Sequence, residues 1–367
     1  VFLIGTDQLP FNYFTLEKTM AQITEQLVLG ALRNVREPEL HKDLVTLNMI
    51  RDLKIKGDDL AFTIVLTTPA CPLTAQIEKN CRDVLAQIGA QNVAIDWKSE
   101  VPADQRIRDQ LAVSFHNTIA VSSGKGGVGK STVAANMAVA LAKMGAGVGL
   151  LDADIYGPNI PLMMGVDRLP RAAGEKITPA LAYGVRLMSM AFVVDPDQPI
   201  IWRGPMIHSA IRQFLTEVDW GQLDYLIIDL PPGTGDAQLT LAQSVPLTGA
   251  VIVTTPQEVA LADALKGLRM FEKLEVPILG IVENMGPYVD AKTGQKIAFF
   301  GEGGGERMSQ RLQVPYLGSV PLDLNVREGG DAGKPIVSSQ PDSLAATALN
   351  QIARQVAARI SVINLEE

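Results

Sequence analysis

The stretch Ala120–Thr132, "AVSSGKGGVGKST", decides the fold. Gly124, Gly129, Lys130 and Ser131 occupy the fixed places of the G-x-x-x-x-G-K-[ST] phosphate-loop pattern. The aliphatic run "TIAVSS" precedes it, and a helical pattern from Ser131 to Met144 follows, so the pattern sits between a strand and a helix as its chemistry requires. Gly124, Gly126, Gly127 and Gly129 allow the backbone N–H groups from Lys125 to Lys130, Val128 included, to turn toward a polyphosphate. The helix beginning near Lys130 adds the positive end of its dipole. Lys130 is expected to reach the outer phosphates, Ser131 to hold Mg2+ and Thr132 to back the loop, so ATP and Mg2+ are the expected ligands.

Lys125 lies outside the minimal pattern. It reads either as a solvated lysine or as a cation that reaches a nucleotide held by a facing subunit. The second reading is preferred, because charge developing between the β- and γ-phosphates is stabilised by an additional cation. It makes Lys125 catalytic together with Lys130, and it makes the protein a homodimer.

Outward from this loop, "GVGLLDAD", "DYLIIDLPP", "GAVIVTTP" and "PILGIVEN" are short aliphatic runs ending in polar or glycine-rich segments, with helical patterns between several of them. Such a texture predicts an α/β domain with a mostly parallel sheet covered by helices on both faces. Ligands of such sheets sit at the carboxyl ends of the strands. Asp229 in "LIIDLPPGTGD" is placed there to orient Mg2+ or its water. In "LLDADIYGPN", Asp154 is the candidate for positioning the attacking water, and Asp152 for supporting Mg2+ or the loop.

Residues 20–99 read as a separate small α/β unit. Apolar positions from Ile23 to Val35 predict a helix, "MIRDLKIKG" and "LAFTIVLTT" two strands around a Gly57-Asp58-Asp59 turn, Leu73 to Ile88 a second helix, and "VAIDW" a third strand. Residues 100–116 are the expected linker, 117–367 the ATPase domain, and 1–19 an extension without the basic start and long apolar core of a secretory signal. Leu344, Leu349, Ile352, Val356 and Ile360 predict a C-terminal helix packed on its own domain.

A formal charge of -8 and the lack of a basic run argue against nucleic acid as a partner, and no apolar segment is long enough for stable membrane insertion. Two cysteines, Cys71 and Cys81, fit a reducing compartment: the cytoplasm, or an organelle stroma or matrix.

In this order, "SSGKGGVGKST", "LLDADIYGPN", "WRGPM", "DYLIIDLPPGTGD", "TTPQEVALAD" and "IVENM" resemble the Mrp/NBP-type (ApbC-type) P-loop ATPases, iron-sulfur cluster carriers of the deviant Walker A group that includes MinD and ParA. Residues 20–99, with "VREPEL" and "TTPACP", resemble the MIP18-type domain. The resemblance implies an ATP-hydrolysing homodimer that carries an iron-sulfur cluster to apo-proteins. It implies that Lys125 contacts nucleotide in the partner subunit, that Asp154 and Asp229 serve water and magnesium, and that Asn284 lies where adenine is recognised. It also implies that "TTPQEVALAD" lines a subunit contact and that "PLDLNVREGGDAGKPI" lies near the base.

The sequence departs from that family at one place. Most members carry C-x-x-C shortly after "ENM", whereas this chain reads "ENMGPYVDAKTGQKIAFFGEGGG". A cluster prefers thiolates, so its carriage here would need a variant site. Cys71, before Pro72 at the start of a predicted helix, is either a ligand of that site or inert packing; Cys81, on the apolar face of the helix, is expected in the core. His41, His116 and His208 show no zinc-site spacing. The alternatives to cluster carriage are an ATP-gated adaptor for a carrier and a spatial-regulator ATPase.

Overall fold

The computed structural model describes residues 23–38, 40, 42–110, 113, 115–171, 176–193, 204–290 and 292–366. The extension 1–19, His41 and the start of "WRGPM" fall outside the described residues. Contacts divide the chain into two units: residues up to Ile64 with Ala75–Trp97, and Val65–Thr74 with Lys98 onward.

The smaller unit is built on a three-stranded sheet. Helix α1 (Glu25–Leu32) starts at Thr24, whose hydroxyl accepts from Leu27 N, and buries Val28 and Leu32. Strands β1 (Ile50–Lys56) and β2 (Asp59–Leu66) pair antiparallel around Gly57, which adopts a left-handed φ of 62°. Helix α2 (Thr74–Gln87) buries Ile77, Cys81 and Leu85, one residue per turn, and β3 (Asn92–Ser99) completes the sheet order β1-β2-β3.

The larger unit runs through α3 (Gln105–Gln110), β4 (Phe115–Ser123), α4 (Lys130–Lys143), β5 (Val148–Asp152), α5 (Ile160–Met163), β6 (Ala180–Ala182) and β7 (Val185–Ser189). It continues with α6 (Gly204–Glu217), β8 (Leu223–Asp229), α7 (Asp236–Ser244), β9 (Gly249–Thr254), α8 (Glu258–Lys273) and β10 (Ile278–Gly286). A small hairpin, β11 (Tyr288–Val289) with β12 (Lys296–Ile297), precedes α9 (Gly304–Leu312), β13 (Tyr316–Pro321), α10 (Leu324–Asp331), α11 (Ile336–Ser339) and α12 (Leu344–Glu366).

The sheet order is β13-β10-β9-β4-β8-β5-β7-β6, with the pairs from β13 to β7 parallel and only the edge pair β6/β7 antiparallel. Strand β4 is central: Ile119 pairs with Ile227 of β8 on one side and Gly249 of β9 on the other. The chain leaves β4 toward β5 and later crosses from β8 to β9, so a crevice opens at the carboxyl end of β4.

Aliphatic runs become buried strands because both faces are covered. On β4 and β8, Ile119, Val121, Tyr225 and Ile227 join one core with α4 and α12, while Ala120, Leu226 and Ile228 join another with α6, α7 and α8. The alternation is the two-residue period of a strand read on two cores at once. Helix α12 packs as expected through Leu349, Ile352, Val356 and Ile360, but Leu344 at its first position is exposed. Ala345 and Ala346 beside it are fully buried in that core, so Leu344 lies on the side of the helix turned away from it. Among the described residues, no helix is long and apolar enough to cross a membrane.

Ile352 is 1% exposed in this core. Ile352→Ala is expected to destabilise the larger unit by about 2–5 kcal/mol, measured as a lowered denaturant midpoint.

Candidate active site

The phosphate loop leaves β4 at Ser123, whose hydroxyl donates to Lys125 O at 3.0 Å. Gly127 and Gly129 take φ of 79° and 81°, the left-handed region that Cβ-bearing residues avoid. Gly129 caps α4 without a side chain, so the first N–H groups of that helix stay available at the loop. Gly124 is needed for a different reason: a Cβ there would lie 2.1 Å from the carbonyl carbon of Asp263, because the backbone of α8 abuts the loop. Gly126 meets neither constraint. It is exposed, its φ is outside the left-handed region, and a Cβ there would find nothing within 4 Å. The freedom that the sequence assigns to all four glycines is therefore required by the loop's own shape at Gly124, Gly127 and Gly129, while at Gly126 the fold accommodates a side chain. On the other side, Asn284 Nδ2 donates to Val128 O at 2.8 Å.

Lys130 and Ser131 open α4 facing the ends of β8 and β5. The Lys130 ammonium lies 2.7 Å from Asp229 Oδ1 and 3.7 Å from Asp154 Oδ2, and the Ser131 hydroxyl donates to Asp229 Oδ2 at 2.5 Å. The structure thus brings together four residues drawn from three distant parts of the chain. Lys125 is half-buried on the opposite limb of the loop, and Thr132 follows on α4.

Asp152 and Asp154 differ in what they hold. Asp154 Oδ1 accepts from Tyr156 N and Gly157 N at 3.1 and 3.2 Å, leaving Oδ2 toward Lys130. Asp152 Oδ2 accepts from Ser189 Oγ at 2.8 Å and Ile160 N at 3.2 Å, and Oδ1 accepts from Asp154 N at 3.2 Å. Of the two duties expected of Asp152, this geometry performs loop support.

The electrostatics bear on whether a divalent cation suits the site. Burial, together with the Asp229 charge beside it, pushes Asp152 up to about 8. Burial also raises Asp229, against the pull of Lys130. Among the described residues Lys130 is the cation paired with these carboxylates. One ammonium against three buried carboxyl groups leaves room for further positive charge, so the donor set fits Mg2+. Among the described residues no group of three or more His, Cys, Asp or Glu side chains is arranged to hold an ion by itself. Mg2+ commonly takes one or two protein oxygens and completes its shell with waters and substrate phosphates, which Ser131 and Asp229 match.

A cavity of about 410 Å³ adjoins the loop, lined by Gly129, Thr132, Leu162, Asn284, Val326 and Arg327 among others. Two of its walls come from Asn284 and the segment "PLDLNVREGGD".

The thiols are a separate matter. Cys81 is fully buried, and burial pushes its thiol up to about 12. Cys71 is 9% exposed and belongs to the larger unit, where its carbonyl accepts from Thr74 Oγ1 at 3.2 Å; α2 begins three residues later than the cysteine. Where most of the resembled family carries thiols, the β11–β12 hairpin is tied by Asp290 Oδ1, which accepts from Lys292 N, Thr293 N and Thr293 Oγ1 at 3.0, 2.7 and 2.8 Å. These bonds hold the Asp290 carboxyl below its ordinary range. His208 meets Ser244 at 2.7 Å and His116 lies 3.8 Å from Asp224, neither in a ligand cluster.

Sequence reading passed over Glu283. It is 1% exposed, and its carboxylate accepts from Gly303 N, Gly305 N and Ser319 Oγ at 3.1, 2.8 and 3.2 Å, fastening the start of α9 to β10 beside Asn284. A glutamate inside the apolar run "ILGIVENM" was the available signal.

Residues 114–357 match the family described as NUBPL iron-transfer P-loop NTPase, under the heading ParA. The chain belongs to this P-loop NTPase family. Residues 25–97 match a second family, described as iron-sulfur cluster assembly protein. The chain is 54% identical over 353 residues to the iron-sulfur cluster carrier protein of Synechocystis sp., covering 94% of this chain and 99% of that one. It is 43% identical over 353 residues to the carrier protein of Escherichia coli, covering 94% and 95%. Among solved structures it resembles the ADP-bound nucleotide-binding protein of Archaeoglobus fulgidus, with TM-score 0.55, 40% identity, and coverage of 63% of this chain and 92% of that one. The cell-division ATPase MinD of Pyrococcus furiosus matches with TM-score 0.50, 26% identity, and coverage of 65% and 98%. The P-loop NTPase family and the deviant Walker A fold are those the sequence motifs imply.

Gly124→Ala should force α8 away from the loop. The expected outcome is a loss of ATP affinity of at least about tenfold in nucleotide titration, with the fold retained by circular dichroism.

Proposed function

We propose that this protein is a homodimeric ATPase that serves the transfer of iron-sulfur clusters to apo-proteins. The observation that carries the reading is the convergence of Lys130, Ser131, Asp154 and Asp229 at the carboxyl edge of the sheet. Carrier proteins similar over nearly their whole length support the cluster part.

In the reaction, a water oxygen bonds to the γ-phosphorus as its bond to the bridging oxygen breaks, giving ADP and phosphate. The loop N–H groups from Gly124 to Thr132, with Gly126 on its exposed rim, and the first turn of α4 hold the β- and γ-phosphates. Lys130 exchanges its contact with Asp229 for the outer phosphate oxygens. Ser131 and Asp229, the latter directly or through water, hold Mg2+, which when bound offsets triphosphate charge. Asp154 orients the water. Asn284, its Nδ2 committed to Val128 O, offers Oδ1 to the exocyclic amine of adenine. Lys125 of each subunit supplies a cation to the site of the other.

For the cargo, Cys71 is the candidate ligand that remains, because the Cys81 thiol resists ionisation. Two copies of Cys71 offer two thiolates, and the shell is completed by other ligands or by a client. The Asp290 turn favours a second reading, an ATP-gated adaptor that works on a carrier without holding the cluster. Either activity belongs in a reducing compartment, the cytoplasm or an organelle stroma or matrix.

Lys125→Ala is expected to keep nucleotide binding and lose at least about tenfold in turnover, which corresponds to about 1.4 kcal/mol of transition-state stabilisation. Unchanged turnover, or a parent whose specific rate is constant on dilution to monomer, would refute the shared site. Anaerobic reconstitution with iron and sulfide is expected to give a cluster absorbance in the parent that falls in Cys71→Ser. No bound cluster in either protein would select the adaptor.

A further inference from the structure

Gln238 lies in the first turn of α7 and is 1% exposed. Its Nε2 donates to the Ser122 hydroxyl in a close contact, while Oε1 accepts from no donor among the described residues. Ser122 is itself fully buried and stands next to Ser123, from which the phosphate loop departs. Ser123 O accepts from Gly233 N at 3.0 Å. Two consecutive residues of β4 therefore hold Gly233 and, through Gln238, the first turn of α7, on either side of Thr234, Gly235 and Asp236. These three are exposed, and Gly233 has a left-handed φ of 96°. Thr234 carries the only side-chain donor of this four-residue arch. Its methyl shares the space under α8 with Ser122: a Cβ at Gly267 would lie 3.9 Å from both Thr234 Cγ2 and Ser122 Oγ.

A buried acceptor without a donor is unfavourable, and the site has a cheaper solution: an apolar side chain of the same length would fill the space without stranding an oxygen. Retention of the amide calls for a use beyond packing.

We propose that Gln238 is a positioning residue for ATP hydrolysis, fixing the arch Gly233–Asp236 in register with the phosphate loop through Ser122. Its free carbonyl receives the Thr234 hydroxyl when the arch closes over the γ-phosphate. The inference rests on the ATPase reading above and adds a residue that touches neither nucleotide nor metal. The arch is suited to such motion, since it contains two glycines and its residues Thr234 to Asp236 are exposed. Closure then satisfies a bond that the open form lacks, which biases the closed form without altering the nucleotide contacts of the open one.

The test is Gln238→Met and Thr234→Val, singly and together, in the full chain. Gln238→Met is expected to lower kcat at least about tenfold while ATP affinity stays within about threefold. Its thermal midpoint should stay level or rise, because the stranded oxygen is gone. The double variant should fall no further than the worse single one, as for groups that act as a unit. Unchanged kcat in Gln238→Met would overturn the proposal, as would a loss of kcat matched by a loss of stability and of ATP binding, or additive losses in the double variant. A parent protein that binds ATP without hydrolysing it would overturn the ATPase reading instead, and this inference with it.

Discussion

The site depends on the placement of a carboxylate that water cannot reach. Asp229 is fully buried at the end of β8, and both of its oxygens are taken, one by the Lys130 ammonium and the other by the Ser131 hydroxyl. In such surroundings an unpaired charge would be prohibitive, so the start of α4 and the end of β8 must arrive together. The central position of β4 between β8 and β9 makes that arrival possible, because the loop leaving β4 turns over the carboxyl end of its neighbour.

Much of this was legible in the chain. Aliphatic runs ending in aspartate mark the carboxyl edge of a parallel sheet, so Asp152, Asp154 and Asp229 could be assigned to one rim before their contacts were known. The pattern could not say which way each carboxyl turns. Asp152 faces Ser189 and Ile160, and that choice is made by the pairing of β5 with β7, which lies far along the chain. Nor could a row of glycines say which of them the backbone needs: Gly124 answers to α8, more than a hundred residues away, and Gly126 to no neighbour within the fold. Gln238 and Glu283 were hidden for a related reason: each gains its meaning from a backbone or hydroxyl partner that no local spacing announces. Leu344 shows the converse, an apolar residue of the helical pattern that turns to solvent while Ala345 and Ala346 beside it take the core.

Thiol chemistry separates the two cysteines by environment. Cys81 is surrounded by the apolar face of α2, and the thiolate form is suppressed there. Cys71 lies in the loop ahead of that helix, at the margin of burial, and is grouped with the larger unit. The Asp290 carboxylate closes its turn with hydrogen bonds from Lys292 and Thr293.

One amide has a wider consequence. Asn284 forms part of the wall of the cavity beside the loop, and through Val128 it also braces the phosphate cradle. The lining of the cavity and the shape of the anion nest are thereby welded into a single mechanical part. An occupant of the cavity that displaced this amide would disturb the cradle too, so a misfit at one place would be felt at the other.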